Sequence, residues 1–187
     1  MTRQYKKKEM DSKERRKIHE LLQRREAPAD PKDSEEAKEP LFAILVPLIG
    51  DGTKLLLEVR APGISQAGDP CFPGGKIEPG ELPEEAACRE LYEELGIRIG
   101  KECLLGELER FQTFRGPWAA VFAAWLPEEA LEALRVCSAE VSEVLQVPVS
   151  FFEERREDRE FPWEGHRIWG MTARIIRDFC AFRRGVL

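Results

Sequence analysis

Histidine is scarce in this sequence, and its cysteines form no recognisable pairs. The 187 residues include two histidines and five cysteines, an odd number with no Cys-x-x-Cys spacing. Scarce histidine argues against a histidine-based metal site and against a Ser-His-Asp triad. Scattered cysteines argue against a disulfide framework and against a cysteine-bound zinc ion. We therefore expect reduced thiols and a cytoplasmic protein.

Long apolar segments and an excess of positive charge are also missing. The longest apolar stretch, residues 41–50, has the length of a buried strand and is too short to cross a membrane as a helix. The first ten residues lack the apolar core of a secretory signal. The formal net charge is −6, so the chain as a whole is not built to bind nucleic acid. We expect neither a membrane nor a nucleic acid as a partner.

Residues 1–40 differ in composition from the rest of the chain. Residues 11–27 can form a charged helix with a narrow apolar stripe, and residues 27–40 are rich in proline and acidic side chains, as is typical of a linker. The lysines at 6–8 are expected to form a solvated tail, with anion binding as the alternative. We predict a charged helix and linker over 1–40 and a globular domain over 41–187. Docking of the helix on a partner or an anionic surface is an alternative role.

From residue 41 onward, strand-like and helical patterns alternate. Strand-like runs occupy residues 42–49, 54–60, 103–114, 118–126 and 144–152, the last leading into a short helix. Helical patterns occupy residues 83–95, 127–136 and 170–185. A Gly-Asp-Gly turn between the first two runs indicates a hairpin. This mixture predicts an α/β fold with a mixed β-sheet.

The helix predicted at 83–95 concentrates carboxylates beside an apolar stripe. Glu90, Glu93 and Glu94 lie at i,i+3 and i,i+4 spacings, where like charges cost a few tenths of a kcal/mol each in an exposed helix. Partial burial beside the stripe raises that cost. Such dense oxygen ligands, without cysteine or histidine nearby, suit a hard cation such as Mg²⁺ or Mn²⁺. A solvated acidic face is the alternative interpretation.

The residues around this helix follow a longer pattern. Gly75 is followed by five residues, Glu81, seven residues and then the run RELYEELGI at 89–97. This order resembles the Nudix box, G-x5-E-x7-R-E-U-x-E-E-x-G-U with U an aliphatic residue, at every specified position. The resemblance implies the Nudix fold, in which a mixed β-sheet is sandwiched between α-helices and the box forms a loop–helix–loop. It also implies hydrolysis of a nucleoside diphosphate linked to another moiety.

The resemblance assigns roles to the box residues by position. The implied metal ligands for Mg²⁺ or Mn²⁺ are the carboxylates of Glu90, Glu93 and Glu94 and the carbonyl of Gly75. Arg89 is expected to orient the glutamates, and Glu81 to support the metal-bound waters or the loop. The general base stays open between Glu90 and a later carboxylate, Glu140 or Glu143, whose alternative is a plain surface role.

The stretch before the box, residues 55–76, resembles the signature of coenzyme A pyrophosphatases, roughly LL-x-x-R-S/A, a spacer and G-E/Q-x-x-FPGG. The matching positions are Leu55, Leu56, Arg60, Ala61, Gly68, Asp69, Phe72, Pro73, Gly74 and Gly75. The implied substrate is coenzyme A or its acyl derivatives, cleaved to 3′,5′-ADP and (acyl)phosphopantetheine. The expected substrate contacts are Arg60, Phe72, Gly74 and Lys76.

Three features depart from that signature. Asp69 stands where Glu or Gln is usual, the spacer after Arg60 is one residue shorter than in many members, and Ser65-Gln66 replaces a commonly basic position. A broader hydrolase acting on ADP-ribose, NADH or dinucleoside polyphosphates is therefore an alternative, and a non-catalytic ligand-binding module is another. The four tryptophans are expected in the core, with stacking on adenine as the alternative. The oligomeric state stays open, a homodimer being one arrangement considered.

Overall fold

The computed structural model describes residues 13–24, 39–113 and 116–185. The lysines at 6–8 and nearly all of the linker predicted at 27–40 lie outside these described residues. The strands are β1 (Pro40–Ile49), β2 (Lys54–Arg60), β3 (Pro70–Cys71), β4 (Gly74–Lys76), β5 (Leu104–Gln112), β6 (Trp118–Leu126), β7 (Val141–Pro148), β8 (Phe161–Trp163) and β9 (His166–Ile168). The α-helices are α1 (Lys13–Arg24), α2 (Pro83–Leu95), α3 (Val149–Glu153) and α4 (Gly170–Arg183).

The main sheet has seven strands and mixes both pairing directions. Its order is β3-β2-β1-β6-β5, with β4 also paired to β1 and β7 to β2. Only the β1–β6 pairing is parallel among the described strands, and the other pairings are antiparallel. Strand β1 is central and buried over residues 43–49, as its unbroken apolar run predicts. The predicted α/β class with a mixed sheet packed with helices is confirmed.

Helix α2 has the bounds that its sequence predicts. Pro83 occupies its first position, and Gly96 ends it with a left-handed backbone (φ 72°), a conformation that favours glycine. The predicted inward stripe of Ala87, Leu91 and Leu95 is fully buried. The helix packs on β1 and β4, so its carboxylates are held beside the centre of the sheet.

The helix predicted at 127–136 is largely wrong. Only a short 3₁₀ helix, Glu128–Ala133, forms there, and Leu134 leaves the helical region of backbone conformation. The following backbone is drawn to the end of α2, because Arg135 N–H donates to the Leu95 carbonyl and Cys137 N–H to the Glu94 carbonyl, each at 2.8 Å. These bonds satisfy carbonyls that the last turn of α2 leaves without helical partners.

Two further features were not anticipated. The segment between β2 and α2 contains the short strands β3 and β4, and a small hairpin, β8–β9, precedes α4. Helix α1 packs on β5 and buries Ile18 and Leu22 in the main core. All five cysteines are free thiols. Within the part of the chain that the structure describes, no helix is both long and apolar enough to cross a membrane.

Candidate active site

A cleft of about 560 Å³ opens between the loop after β2, strands β3 and β4, helix α2 and the start of α4. Its size lies in the range typical of small-molecule sites. Seven residues predicted from the sequence line it: Arg60, Phe72, Gly74, Gly75, Glu90, Glu94 and Glu140. Strands β1 and β4 are paired through Ile44↔Gly74 and Ala43↔Gly75, which places the two glycines directly against the central strand.

Arg89 ties the glutamates of the box together from outside the cleft lining. Its Nε and Nη2 donate to the two carboxylate oxygens of Glu81 at 2.9 and 3.1 Å. Its Nη1 donates to Glu90 Oε1 and to Glu93 Oε2, both at 2.8 Å. Its Nη2 also donates to the backbone carbonyl of Lys76 at 2.9 Å. The hydrogen bonds from Arg89 hold the pKa of Glu81 below its usual range.

Glu90 and Glu94 are buried carboxyl groups that face β4, the strand that contains Gly74 and Gly75. The Gly74 N–H donates to Glu94 Oε2 at 3.0 Å, and a Cβ placed on Gly75 would collide with the Glu90 carboxylate. Burial raises the pKa of both groups, and for Glu94 repulsion by Glu58 is the next cause. The glycine at 75 is therefore required for Glu90 to occupy this position.

Two predicted residues, Glu93 and Lys76, are not part of the cleft lining. The Glu93 side chain is 54% exposed and contacts Arg89. Lys76 is exposed, and its side chain is not part of the cleft lining. The roles assigned to these two residues by sequence stay predictions.

Glu58 is a buried carboxyl group that the sequence interpretation missed. It is 1% exposed, its Oε1 accepts from Cys71 Sγ at 3.5 Å, and its Oε2 has no hydrogen-bond partner. Burial raises its pKa, and nearby Glu140 and Glu90 add to the effect. A signal was available, because a single glutamate interrupts the apolar run of β2.

The carboxylate oxygens at this site are donors that suit a hard divalent cation, but they are not arranged as a metal site. No group of three or more His, Cys, Asp or Glu residues within the described ranges has the geometry of a ready metal site. One reason is that Arg89 Nη1 holds both Glu90 and Glu93. The buried carboxyls of Glu58 and Glu94 nevertheless repel each other when ionised, and a bound cation would relieve this repulsion.

The remaining predicted residues differ in their access to the cleft. Arg60 lines it, and its Nε donates to the Ser65 carbonyl at 2.6 Å, which fixes the guanidinium against the loop. Glu140 lines it as well, whereas Glu143 lies 3.1 Å from His166 Nε2 and is absent from the lining. The core expectation is wrong for Trp169, which is 38% exposed and lines the cleft.

Comparison with known proteins places the chain in a family. The NUDIX domain pattern matches residues 39–164. Nudix hydrolase 3 of Caenorhabditis elegans is 33% identical over 113 residues, which cover 58% of this chain and 47% of that protein. The human mitochondrial coenzyme A diphosphatase NUDT8 is 29% identical over 164 residues, covering 76% of this chain and 69% of that protein. The chain spans about half the length of the first curated relatives that it matches, 47% and 53%.

Solved structures agree on the fold. The crystal structure of a MutT protein from Methanosarcina mazei superposes with a TM-score of 0.56 at 22% identity, covering 81% of this chain and 98% of that chain. At this identity the likeness bears on the fold alone. Since the NUDIX pattern covers more than half of the chain and ends beyond α2, the chain belongs to the NUDIX domain family.

Proposed function

We propose that this chain is a metal-dependent hydrolase that cleaves the diphosphate of coenzyme A or acyl-coenzyme A to 3′,5′-ADP and (acyl)phosphopantetheine. The observation that carries the proposal is the pair of buried carboxyls, Glu90 and Glu94, in the wall of a cleft of about 560 Å³. Family membership supports the same chemistry. A non-catalytic module would have no need to bury carboxyl groups in this way, because buried charge is unfavourable without a partner.

In this proposal Mg²⁺ or Mn²⁺ is held by Glu90, Glu93, Glu94 and the Gly75 carbonyl. When bound, the ion neutralises the diphosphate oxygens and lowers the pKa of a coordinated water. Arg89 Nη1 donates to one oxygen each of Glu90 and Glu93, which would leave the second oxygen of each carboxylate for the ion. Glu81 anchors the guanidinium through two hydrogen bonds.

Glu140 is our choice for the general base. It lines the cleft together with Glu90 and Glu94, so its carboxylate has access to a water that attacks a diphosphate bound there. Glu143 is the weaker candidate because it is engaged with His166 and lies outside the lining. Glu90 is not chosen as the base because it is held by Arg89 and is already proposed as a metal ligand.

Coenzyme A is preferred as the substrate for two reasons. The loop that carries the coenzyme A-type signature forms a wall of the cleft through Arg60, Asp69 and Phe72. A relative that matches over most of this chain is named a coenzyme A diphosphatase. Arg60 is then the contact for a phosphate of the substrate.

A broader nucleoside-diphosphate hydrolase is the second candidate, and one observation favours it. Among the described lining residues, Arg60 is the only cation, and Gln66 lies where the signature commonly has a basic side chain. Coenzyme A carries a 3′-phosphate in addition to its diphosphate and calls for more positive charge than ADP-ribose does.

The substrate is tested by offering the purified protein a panel with Mg²⁺ or Mn²⁺ and weighing the products by mass spectrometry. The panel contains coenzyme A, acetyl-coenzyme A, ADP-ribose, NADH and a dinucleoside polyphosphate. We expect 3′,5′-ADP from coenzyme A as the main product. Brisk turnover of another panel member without turnover of coenzyme A would contradict the substrate and favour the second candidate.

The metal role is tested with Glu93→Gln and Glu94→Gln, each compared with Glu157→Gln, whose side chain is 92% exposed and distant from the lining. The first two variants should lower kcat on the order of 100-fold or more, because each removes a negatively charged oxygen donor. The control should keep wild-type turnover. Near-normal kcat in Glu94→Gln would refute the proposed ligand.

A further inference from the structure

The cleft continues beyond the carboxylates into a part with apolar walls. We call this part the apolar arm and define it by Phe42, Ala119, Trp169, Met171 and Ile175. Phe42 and Ala119 are direct neighbours across β1 and β6, and Met171 and Ile175 lie one turn apart on α4. The arm thus combines residues of β1, β6 and the start of α4 that line the same cleft.

Trp169 in this arm departs from two rules of local structure. It is 38% exposed although it is among the largest apolar side chains. It also occupies the N-cap of α4 and makes no side-chain capping hydrogen bond, at a position where Ser, Thr, Asp or Asn is strongly preferred. Leu82 and Pro148 at the N-caps of α2 and α3 lack such a bond as well, so the distinguishing feature of Trp169 is its exposure within the cleft lining.

The surroundings of Trp169 prepare its ring for stacking. The Arg167 guanidinium lies over the ring, 4.9 Å from its centroid, and Arg167 Nε is 3.5 Å from Glu160 Oε2. One face of the indole is thus supported by a tethered cation while the residue still lines the cleft. A supported, partly exposed indole is a surface for a second planar ring, since bases stack on aromatic side chains irrespective of their identity.

We propose that Trp169 is the platform on which the nucleobase of the substrate stacks, with the apolar arm as the base subsite. This inference rests on the proposed function, because the carboxylate end of the same cleft is where the diphosphate is cleaved. A diphosphate held there leaves the nucleoside and the other moiety as the groups that can enter the arm. The flat ring favours the base over the pantetheine chain, which has no planar face to stack.

The test separates the two halves of the substrate. Binding of ADP and of 4′-phosphopantetheine is measured by calorimetry for the wild type, Trp169→Ala, Trp169→Leu and Trp169→Phe. Loss of stacking should weaken ADP binding roughly 5- to 100-fold in the Ala and Leu variants, while Phe retains most of the affinity. Phosphopantetheine binding should not change. In hydrolysis assays the Ala variant should raise KM for coenzyme A with kcat within about twofold of the wild type.

The matched control is Tyr92→Ala. Tyr92 is 44% exposed and carries the Arg98 guanidinium 4.0 Å from its ring centroid, so it repeats the arrangement outside the cleft. This variant should bind ADP as the wild type does. Melting temperatures of all variants establish that each is folded, and Trp169→Leu keeps the apolar bulk if the Ala variant does not fold.

The outcomes distinguish this inference from the proposed function. Wild-type ADP affinity in Trp169→Leu would overturn the base subsite while leaving hydrolysis intact. A loss confined to phosphopantetheine would overturn it as well and assign the arm to the other half of the substrate. Trp169-dependent ADP binding in a protein that hydrolyses no panel member would support the subsite and refute the proposed function.

Discussion

Some glutamates in this molecule are buried, and the cations among the described residues do not balance the negative charge that these glutamates carry when ionised. Arg89 serves Glu81, Glu90 and Glu93, whereas Glu94 has a backbone N–H and Glu58 has a thiol as its hydrogen-bond donor. Burial therefore raises the pKa of Glu58 and of Glu94. A bound cation would favour the ionised carboxyls, so the metal-free protein should respond strongly to pH.

The Glu58→Gln variant isolates this effect, since Glu58 is not a proposed ligand. The folded-state pKa of Glu58 lies above its ordinary value, so its contribution to stability is complete at low pH and is lost as pH rises. Without divalent ions, the gain in the free energy of unfolding caused by Glu58→Gln should therefore be roughly 1–3 kcal/mol larger at about pH 8 than at about pH 5. Urea denaturation at the two pH values measures this difference.

The exposed Glu157→Gln variant is the control and should show no such pH-dependent gain. An equal stability change at both pH values in Glu58→Gln would mean that Glu58 is not forced to ionise against its burial.

Strand β4 is the element that brings the backbone up to the carboxylates. Its two glycines differ in what an added methyl group would meet. At Gly74 a Cβ would lie 2.5 Å from the Ala43 carbonyl oxygen and 2.9 Å from Ile44 Cα, which are fixed backbone atoms of β1. At Gly75 the three nearest atoms would all belong to the Glu90 carboxylate, the end of a flexible side chain.

We therefore expect opposite consequences for the two alanine variants. Gly74→Ala should lower the free energy of unfolding by roughly 1–3 kcal/mol, because the sheet must shift. Gly75→Ala should stay within about 1 kcal/mol of the wild type but reduce kcat about tenfold or more, because Glu90 is displaced. Thermal denaturation and turnover measured on both variants check this. Wild-type kcat in Gly75→Ala would show that the position of Glu90 does not matter.

The same elements show how far sequence alone could lead. The bounds of α2 followed from Pro83, the apolar spacing and Gly96, because all three signals are local. The helix predicted at 127–136 does not continue because the N–H groups of Arg135 and Cys137 bond to the end of α2, a contact distant in sequence. Strands β3 and β4 are too short to produce an alternating pattern.

The candidate site, like the fold, could be predicted from the sequence only in part. Helical spacing indicated Glu90 and Glu94, and the resemblance to the Nudix box added Gly75; the fold brings all three to one cleft. Glu58 was missed because its burial depends on the pairing of β2 with β3 and β7. Trp169 was expected in the core because its aromatic character favours burial, and only the arrangement of α4 at the cleft reveals its exposure.

At the scale of the whole molecule, a helix outside the matched family segment belongs to the core. Helix α1 buries Ile18 to 1% exposure against β5, and His19 Nδ1 lies 3.1 Å from the Leu105 carbonyl. Ile18→Ala should lower the free energy of unfolding by roughly 2–4 kcal/mol. Since α1 does not line the cleft, kcat well below the melting temperature should be unchanged.

Lys17→Ala is the matched control, because Lys17 is exposed on the same helix. Its stability should stay within about 0.5 kcal/mol of the wild type. An unchanged melting temperature in Ile18→Ala would mean that the contact between α1 and the sheet contributes nothing to folding.

Metal binding at the site should raise the free energy of unfolding of the entire chain. An ion that binds only the folded state at about 100 times its Kd adds about 2.7 kcal/mol to the free energy of unfolding. The melting temperature should therefore be higher in Mg²⁺ than in a chelator. The rise should grow from about pH 6 to about pH 8, because burial raises the pKa of Glu94 to about 9 and the metal must displace a proton from this ligand more often at the lower pH. Glu94→Gln should lose most of this rise and Glu157→Gln should keep it. An undiminished rise in Glu94→Gln would place the ion elsewhere, since a ligand cannot be removed without weakening the binding that stabilises the fold.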